Sequence, residues 1–128
     1  MLVNKKIIYP KLSYKINGCL FEVYKELGPG HREKLYQQAL KKEFENNRIG
    51  FKSQIPIEIR YKQNPIGKYY LDFLIENKII LEIKVGSYFL KRNLEQILDY
   101  LKSSNLKLGI IANFTRDGVK FYRVINLK

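Results

Sequence analysis

The sequence predicts one α/β domain, a sandwich built on a mixed sheet, and three observations carry that expectation. Segments 12–27, 31–47 and 87–104 repeat apolar residues at helical spacing, whereas five other stretches alternate with a period of two or run apolar throughout. These elements follow the order α-α-β-β-β-α-β-β. Three consecutive strands joined by short turns read as antiparallel, and the single helix after the third returns the chain as a crossover. At 128 residues the chain is long enough for one core of two or three layers, and no linker or internal repeat divides residues 1–128.

Each element has its own warrant. From Leu12 to Leu27 the apolar residues Ile16, Leu20, Val23 and Leu27, with Cys19 and Tyr24 alongside, form one stripe, and Gly28 stops it. After "GPG" a second helix runs from about His31 to Asn47 on Leu35, Tyr36, Ala39, Leu40 and Phe44, closed by Gly50. In "FKSQIPIEIRY" Phe51, Ile55, Ile57, Ile59 and Tyr61 alternate with polar residues, so one face is wet, and Pro56 puts this strand at a sheet edge. "KQNP" turns the chain into "IGKYYLDFLIE", and "ENK" turns it again into "KIILEIKVG". A helix from about Ser87 to Ser104 faces inward with Leu90, Leu94, Ile97, Leu98 and Leu101. "LKLGIIANF" and "VKFYRVINL", separated by "TRDG", are the last two strands.

Composition narrows the function. Hydrophobic content of 45% and aromatic content of 13% describe a folded globule. A formal charge of +12, from 24 basic and 12 acidic residues, suits a polyanionic partner, with nucleic acid ahead of an anionic membrane. No apolar run approaches the roughly 20 residues needed to span a bilayer, and Pro10 interrupts the opening residues before a secretory h-region can form. Cys19 is the only cysteine, which excludes an internal disulfide and fits a reducing cytoplasm. Its place on the apolar stripe makes it a core residue.

The third strand poses a chemical question. Glu82 and Lys84 lie two apart within an apolar run, so both project from one face. On the preceding strand Asp72 is also flanked by apolar residues, and a hairpin turning near 76–78 puts Asp72 level with Glu82. Two neighbouring carboxylates in a core strongly disfavour their charged forms. A divalent cation relieves both penalties, and an oxygen-only ligand set selects a hard ion, Mg²⁺ or Mn²⁺. Lys84 then stands beside it, placed to hold a water or to offset charge on a phosphate. The plainer alternative is an ordinary Glu82–Lys84 ion pair, with Asp72 capping a turn.

Around these residues the chain resembles a known family. Gly30, Glu33 and Tyr36 in "GPGHREKLYQQA" reproduce a Gly-x-x-Glu-x-x-Tyr pattern, followed in order by Asp72, by "EIK", and by Gln96-x-x-x-Tyr100 in "LEQILDYLK". Together with "NLKLGIIANF" these resemble the GxxExxY proteins, a compact branch of the PD-(D/E)XK nuclease superfamily, over about Ile16 to Phe114. The resemblance implies a restriction-endonuclease-like fold and a metal-dependent nuclease with Mg²⁺ (or Mn²⁺) as cofactor. It implies Asp72 and Glu82 as metal ligands, with the Ile83 carbonyl and Glu33 as further ones, Lys84 as the catalytic lysine, and Gln96 and Tyr100 orienting the lysine or the scissile phosphate. No proline precedes Asp72, which is reached through Leu71.

Plainer roles stand beside these. Glu33 complements a helix dipole, Tyr36 is core packing, Gln96 and Tyr100 are surface-edge residues, and His31 is exposed or touches phosphate rather than metal. Lys11, Lys15, Arg32, Lys34, Lys68, Lys91 and Arg92 are the candidate nucleic-acid contacts, which set affinity more than sequence preference. The expected partner is nucleic acid, DNA ranked ahead of RNA, with no membrane; the fold's duplex-cutting enzymes make a homodimer an option. The alternatives are a catalytically silent nucleic-acid-binding module of the same fold and a partner-binding subunit of a repair or defence complex.

Overall fold

The computed structural model describes residues 8–88 and 91–127, in the order α1 (Pro10–Leu27), α2 (Glu33–Asn46), β1 (Phe51–Tyr61), β2 (Asn64–Ile75), β3 (Ile79–Val85), α3 (Lys91–Ser104), β4 (Leu108–Thr115) and β5 (Gly118–Ile125). The five strands form one sheet in sequence order, β1-β2-β3-β4-β5. Every neighbouring pair is antiparallel except β3 and β4, which the α3 crossover makes parallel. The sheet is therefore mixed, as the element order requires.

Alternation along β3 divides the interior into two layers. Ile79, Leu81 and Ile83 join Ile16, Leu20, Val23, Tyr36, Leu40 and Phe44 from the α1–α2 hairpin. Ile80 points the other way, to Ile97 and Leu101 of α3, with Leu71 and Ile111. Glu82 and Lys84 share the parity of Ile80, so the question raised by their spacing is settled on the α3 side of the strand. Cys19 is buried in the first layer, where desolvation pushes its thiol up to about 11. Gly109 of β4 lets α3 approach, because a Cβ there would sit 2.5 Å from Ile97 Cγ2.

The boundaries differ from the sequence reading in instructive places. The turn after β1 is two residues rather than "KQNP": Lys62 (φ 47°) and Gln63 (φ 68°) are left-handed, the twist that closes a tight hairpin, and Asn64 and Pro65 enter β2. α2 begins at Glu33 because Arg32 is still extended. α3 begins at Lys91, not Ser87; Gly86 (φ 106°) turns the chain off β3, and Ser87 and Tyr88 are not helical. Leu90, expected in that helix, lies outside the described residues. β1 is an edge strand, as Pro56 required.

Candidate active site

The paired acids sit where two ladders open. β2 and β3 pair only through Phe73↔Leu81, Leu74↔Ile80 and Ile75↔Ile79. One step beyond, the carboxylates replace the ladder: Asp72 N–H donates to Glu82 Oε1 (2.6 Å) and Ile83 N–H donates to Asp72 Oδ2 (2.7 Å). Each acid thus accepts a backbone amide from the other's strand. The β1–β2 pairing passes over the same level, from Ser53↔Phe73 to Ile55↔Leu71, with Gln54 at φ 55°. The side-chain alternation of β2 breaks there, so Phe73 joins the α1–α2 layer while Leu71 joins the α3 layer.

The remaining carboxylate oxygens have partners too. Gln37 Nε2 donates to Asp72 Oδ1 (2.9 Å), and the Tyr69 hydroxyl donates to Glu82 Oε2 (2.6 Å). Lys84 Nζ lies 3.9 Å from Glu82 Oε2, an ion pair too long for a hydrogen bond. Burial is the largest influence on both acids and raises them, Asp72 to about 6 and Glu82 to about 7. The Ile83 amide, the Lys84 charge and Gln37 pull Asp72 back, and Glu33 pushes it up; Glu82 is pushed further by the charge of Asp72. The Tyr69 phenol is raised as well, by burial and then by Glu82. Lys84 alone cannot offset two desolvated carboxylates.

Glu33 reaches this electrostatic environment from the first turn of α2, and the pattern around it explains how. Tyr36, fully buried, donates to Gly28 O (2.7 Å), accepts from His31 N–H (3.4 Å) and stacks on Phe114 at 4.1 Å between centroids. Gly30, at φ 92°, makes the turn between α1 and α2. Tyr36 is core packing, as expected, and it also clamps the loop that delivers Glu33. His31 is half-buried rather than exposed: its Nε2 lies 2.8 Å from Leu27 O, at the carboxyl end of α1.

On the α3 side, Gln96 is half-buried and its Oε1 is buried without a partner, while Tyr100 packs on the Leu71–Ile80–Ile97 cluster. Asn113 of β4 is the register partner of Lys84 and is fully buried. Its Nδ2 donates to Gly86 O (3.2 Å) and its Oδ1 is likewise unpartnered. Gln37, Tyr69 and Asn113 were absent from the sequence reading. Gln37 is one helical turn beyond Glu33, a signal that was available; Asn113 becomes a neighbour of Lys84 only once the parallel register is known.

The model of the PD-(D/E)XK nuclease superfamily matches residues 10–124, almost the whole chain. The chain belongs to this superfamily. Among solved structures, the crystal structure of SSO0001 is similar at a TM-score of 0.55, over 90% of this chain and 77% of that one, with 14% identity. At that identity the likeness bears on the fold alone, which is restriction-endonuclease-like. No curated protein matches the chain.

Placed in a PD-(D/E)XK domain, the donor set can be tested against the cation that the superfamily implies. Asp72 and Glu82 offer only hard oxygens, each already holding one hydrogen bond and retaining lone pairs. Among the described residues no group of three or more His, Cys, Asp and Glu side chains gathers on one point. Two carboxylates with water completing the shell fit Mg²⁺ or Mn²⁺, and do not fit a fully protein-coordinated zinc. Ile83 presents its N–H to Asp72.

All seven foreseen cations are exposed. Lys34 lines a recess of about 510 Å³ with Glu33, Gln37 and Gln54, next to the Asp72 partner Gln37, and Arg32 lies just ahead of α2. Lys91 and Arg92 open α3, and Lys68 lies on the outer part of β2. Lys11 and Lys15 project from α1, where Lys15 shares a recess with Glu22 and Glu43. A second recess of about 570 Å³, at the carboxyl ends of β3 and β4, adds Arg116 and Lys120 beside Gly30, Gly86 and Ser87.

Among the described residues no helix is long and apolar enough to cross a membrane.

Proposed function

We propose that this protein hydrolyses phosphodiester bonds of nucleic acid, DNA ahead of RNA, at a centre formed by Asp72, Glu82 and Lys84 with Mg²⁺ or Mn²⁺ as cofactor. The observation that carries this reading is the pair of buried carboxylates at the open end of the β2–β3 ladder, raised by desolvation and under-compensated by one lysine. Within the superfamily we assign the chain to the GxxExxY branch, on Gly30, Glu33 and Tyr36.

A divalent ion, when bound, supplies charge neutralisation and a lowered water pKa. The chain's own residues do the rest. Asp72 and Glu82 would hold the ion, with the Ile83 carbonyl and Glu33, directly or through water, completing its surroundings. Gln37 and Tyr69 keep the carboxylates turned toward each other. The Lys84 ammonium would donate to the attacking water or a non-bridging phosphoryl oxygen. Gln96 would orient Lys84 by accepting from its ammonium at the unpartnered Oε1, or the phosphate by donating from Nε2, with Tyr100 fixing that face of α3. Arg32, Lys34, Lys68, Lys91 and Arg92 would bind the strand backbone, joined by Arg116 and Lys120. A single buried cysteine suits work in the cytoplasm.

The test is a panel of labelled single-stranded, duplex and branched DNA and RNA, incubated with Mg²⁺, Mn²⁺ or EDTA. Metal-dependent cleavage lost in EDTA is the expected result. Tight binding with no cleavage of any member would establish the silent module instead.

A further inference from the structure

The β1–β2 hairpin is longer than the sheet needs. β2 pairs with β3 only up to Phe73, yet β1 and β2 continue together from Ile55↔Leu71 to Tyr61↔Asn64. Residues 58–68 are all exposed, a two-stranded ribbon with neither outer edge paired among the described residues. Such a ribbon is marginal by itself, so its conformation rests on the sheet at its base. Tyr69, which donates to Glu82, marks that base. At about 3.3 Å per residue the turn at Lys62–Gln63 lies about 20 Å beyond Tyr69, or about six base-pair steps of duplex.

The ribbon's chemistry does not serve the core. Ile59, Tyr61 and Ile66 are 40%, 60% and 65% exposed. Arg60, Lys62 and Lys68 face a single acid, Glu58, which Arg60 engages at 2.6 Å. Two features argue against a second copy of the chain adding to the edge: Pro56 removes a ladder donor from β1, and the register shifts at Ile59/Arg60. A second copy would also bring another +12 of charge alongside. A polyanion meets no such objection, and a two-stranded ribbon is of a size that the major groove admits.

We propose that the β1–β2 ribbon is a duplex-binding arm, gripping nucleic acid several base pairs to one side of the bond at Asp72 and Glu82. This rests on the nuclease reading and adds the substrate class: a duplex with a flank long enough to reach the turn.

The test measures Kd for a duplex DNA of about 30 base pairs and for one of its strands alone, each with its salt dependence. Wild type, the double variant Lys62→Ala/Lys68→Ala, Glu58→Gln and Tyr61→Ala are compared in EDTA, with single-turnover cleavage in Mg²⁺ beside them. The double variant should weaken binding at least about tenfold at low salt and make the log–log salt slope shallower by about 1.8, at 0.9 per lost phosphate contact. Glu58→Gln removes the ribbon's acid and releases Arg60 Nη2 from its ion pair, while Nη1 keeps its hydrogen bond to Gln63 O, and should tighten binding, an outcome that misfolding does not produce. Cleavage at saturating enzyme should stay at the wild-type rate in Glu58→Gln and Tyr61→Ala, because neither residue touches the carboxylates. Unchanged Kd and slope with a wild type that binds and cuts would overturn the arm alone. A wild type that neither binds nor cuts duplex overturns both readings. A loss confined to single-stranded DNA and carried by Tyr61→Ala overturns the duplex assignment, and a dimer that dissociates in the double variant with Kd unchanged would make the ribbon a contact between copies.

Discussion

Glu82→Gln separates a metal site from a structural ion pair without any assay of cleavage. In the metal-free protein Glu82 is raised from 4.5 to about 7, chiefly by burial and then by Asp72. A folded-state value above the unfolded one means that the stabilising contribution is complete below the unfolded value and is lost as pH rises through the folded one. Above pH 7 the ionised carboxylate therefore destabilises the metal-free fold by about 3 kcal/mol, at 1.36 kcal/mol per pH unit. Glutamine removes the charge and keeps an acceptor for the Asp72 amide, but it turns a poor partner toward the Tyr69 hydroxyl, returning about 1 kcal/mol. At pH 8 in EDTA the variant should be more stable by about 1–2 kcal/mol, a Tm higher by about 4–8 °C.

Two controls sharpen the outcome. The wild-type Tm in EDTA should rise as pH falls from 8 to 5, since Asp72 and Glu82 both protonate in that window. The rise should be smaller in the variant. Mn²⁺ at pH 8 should raise the wild-type Tm and leave the variant nearly unmoved. A variant several degrees less stable than wild type in EDTA at pH 8 would refute the reasoning. Glu82 would then be held by Lys84 and Tyr69 for the sake of the fold.

Lys84→Ala should abolish cleavage while keeping most duplex affinity and Tm; cleavage at the wild-type rate by purified variant would remove the lysine from the mechanism. Tyr69→Phe deletes a hydrogen bond that lowers Glu82, so the acidic limb of the pH–rate profile should move to higher pH, and an unmoved limb would contradict that coupling. Gly30→Ala meets no steric obstacle, so its cost is that of a left-handed φ, about 1–2 kcal/mol by chemical denaturation. Gly109→Ala collides with Ile97 and should cost more, seen as a larger drop in the denaturation midpoint.

The architecture was legible because its periodicities are unambiguous. The step from period 3.6 to period 2 at Phe51 and the helix set between two apolar strands leave little choice of topology. The level pairing of Asp72 with Glu82 was also legible, since a hairpin turning near 76–78 fixes register within a residue. The reach of α3 was not, because the helical period of its apolar residues continues smoothly through Leu90 while Gly86 takes a left-handed turn. Nor was the double role of Tyr36. Apolar spacing identifies a buried ring, but a hydroxyl that pins Gly28 is a contact between a helix and the loop behind it. Tyr69 escaped notice for a related reason: in an alternating strand it would share the α1–α2 face of Phe73 and Ile75, and only the break of alternation at Asp72 turns it to the α3 face, where its hydroxyl meets Glu82.

That break is also why the site can exist. In an unbroken sheet, backbone carbonyls would take the Asp72 and Ile83 amides, and the two carboxylates would face each other across the strands with no backbone donor between them. Here both strands diverge, and the freed amides are capped by the acids themselves. Buried amides need acceptors, so the carboxylates are the structural solution to the open ladder, and their charge is its electrostatic cost. Substituting Asp72 by alanine removes an acceptor from the Ile83 amide as well as a charge, whereas asparagine keeps an acceptor. Asp72→Asn should therefore hold its Tm in EDTA at pH 8 while losing the Mn²⁺-induced rise, and Asp72→Ala should lose about 1–3 kcal/mol from the orphaned amide. Equal stability of the two variants would mean that the amide finds water instead, and that the carboxylate is retained for the ion alone.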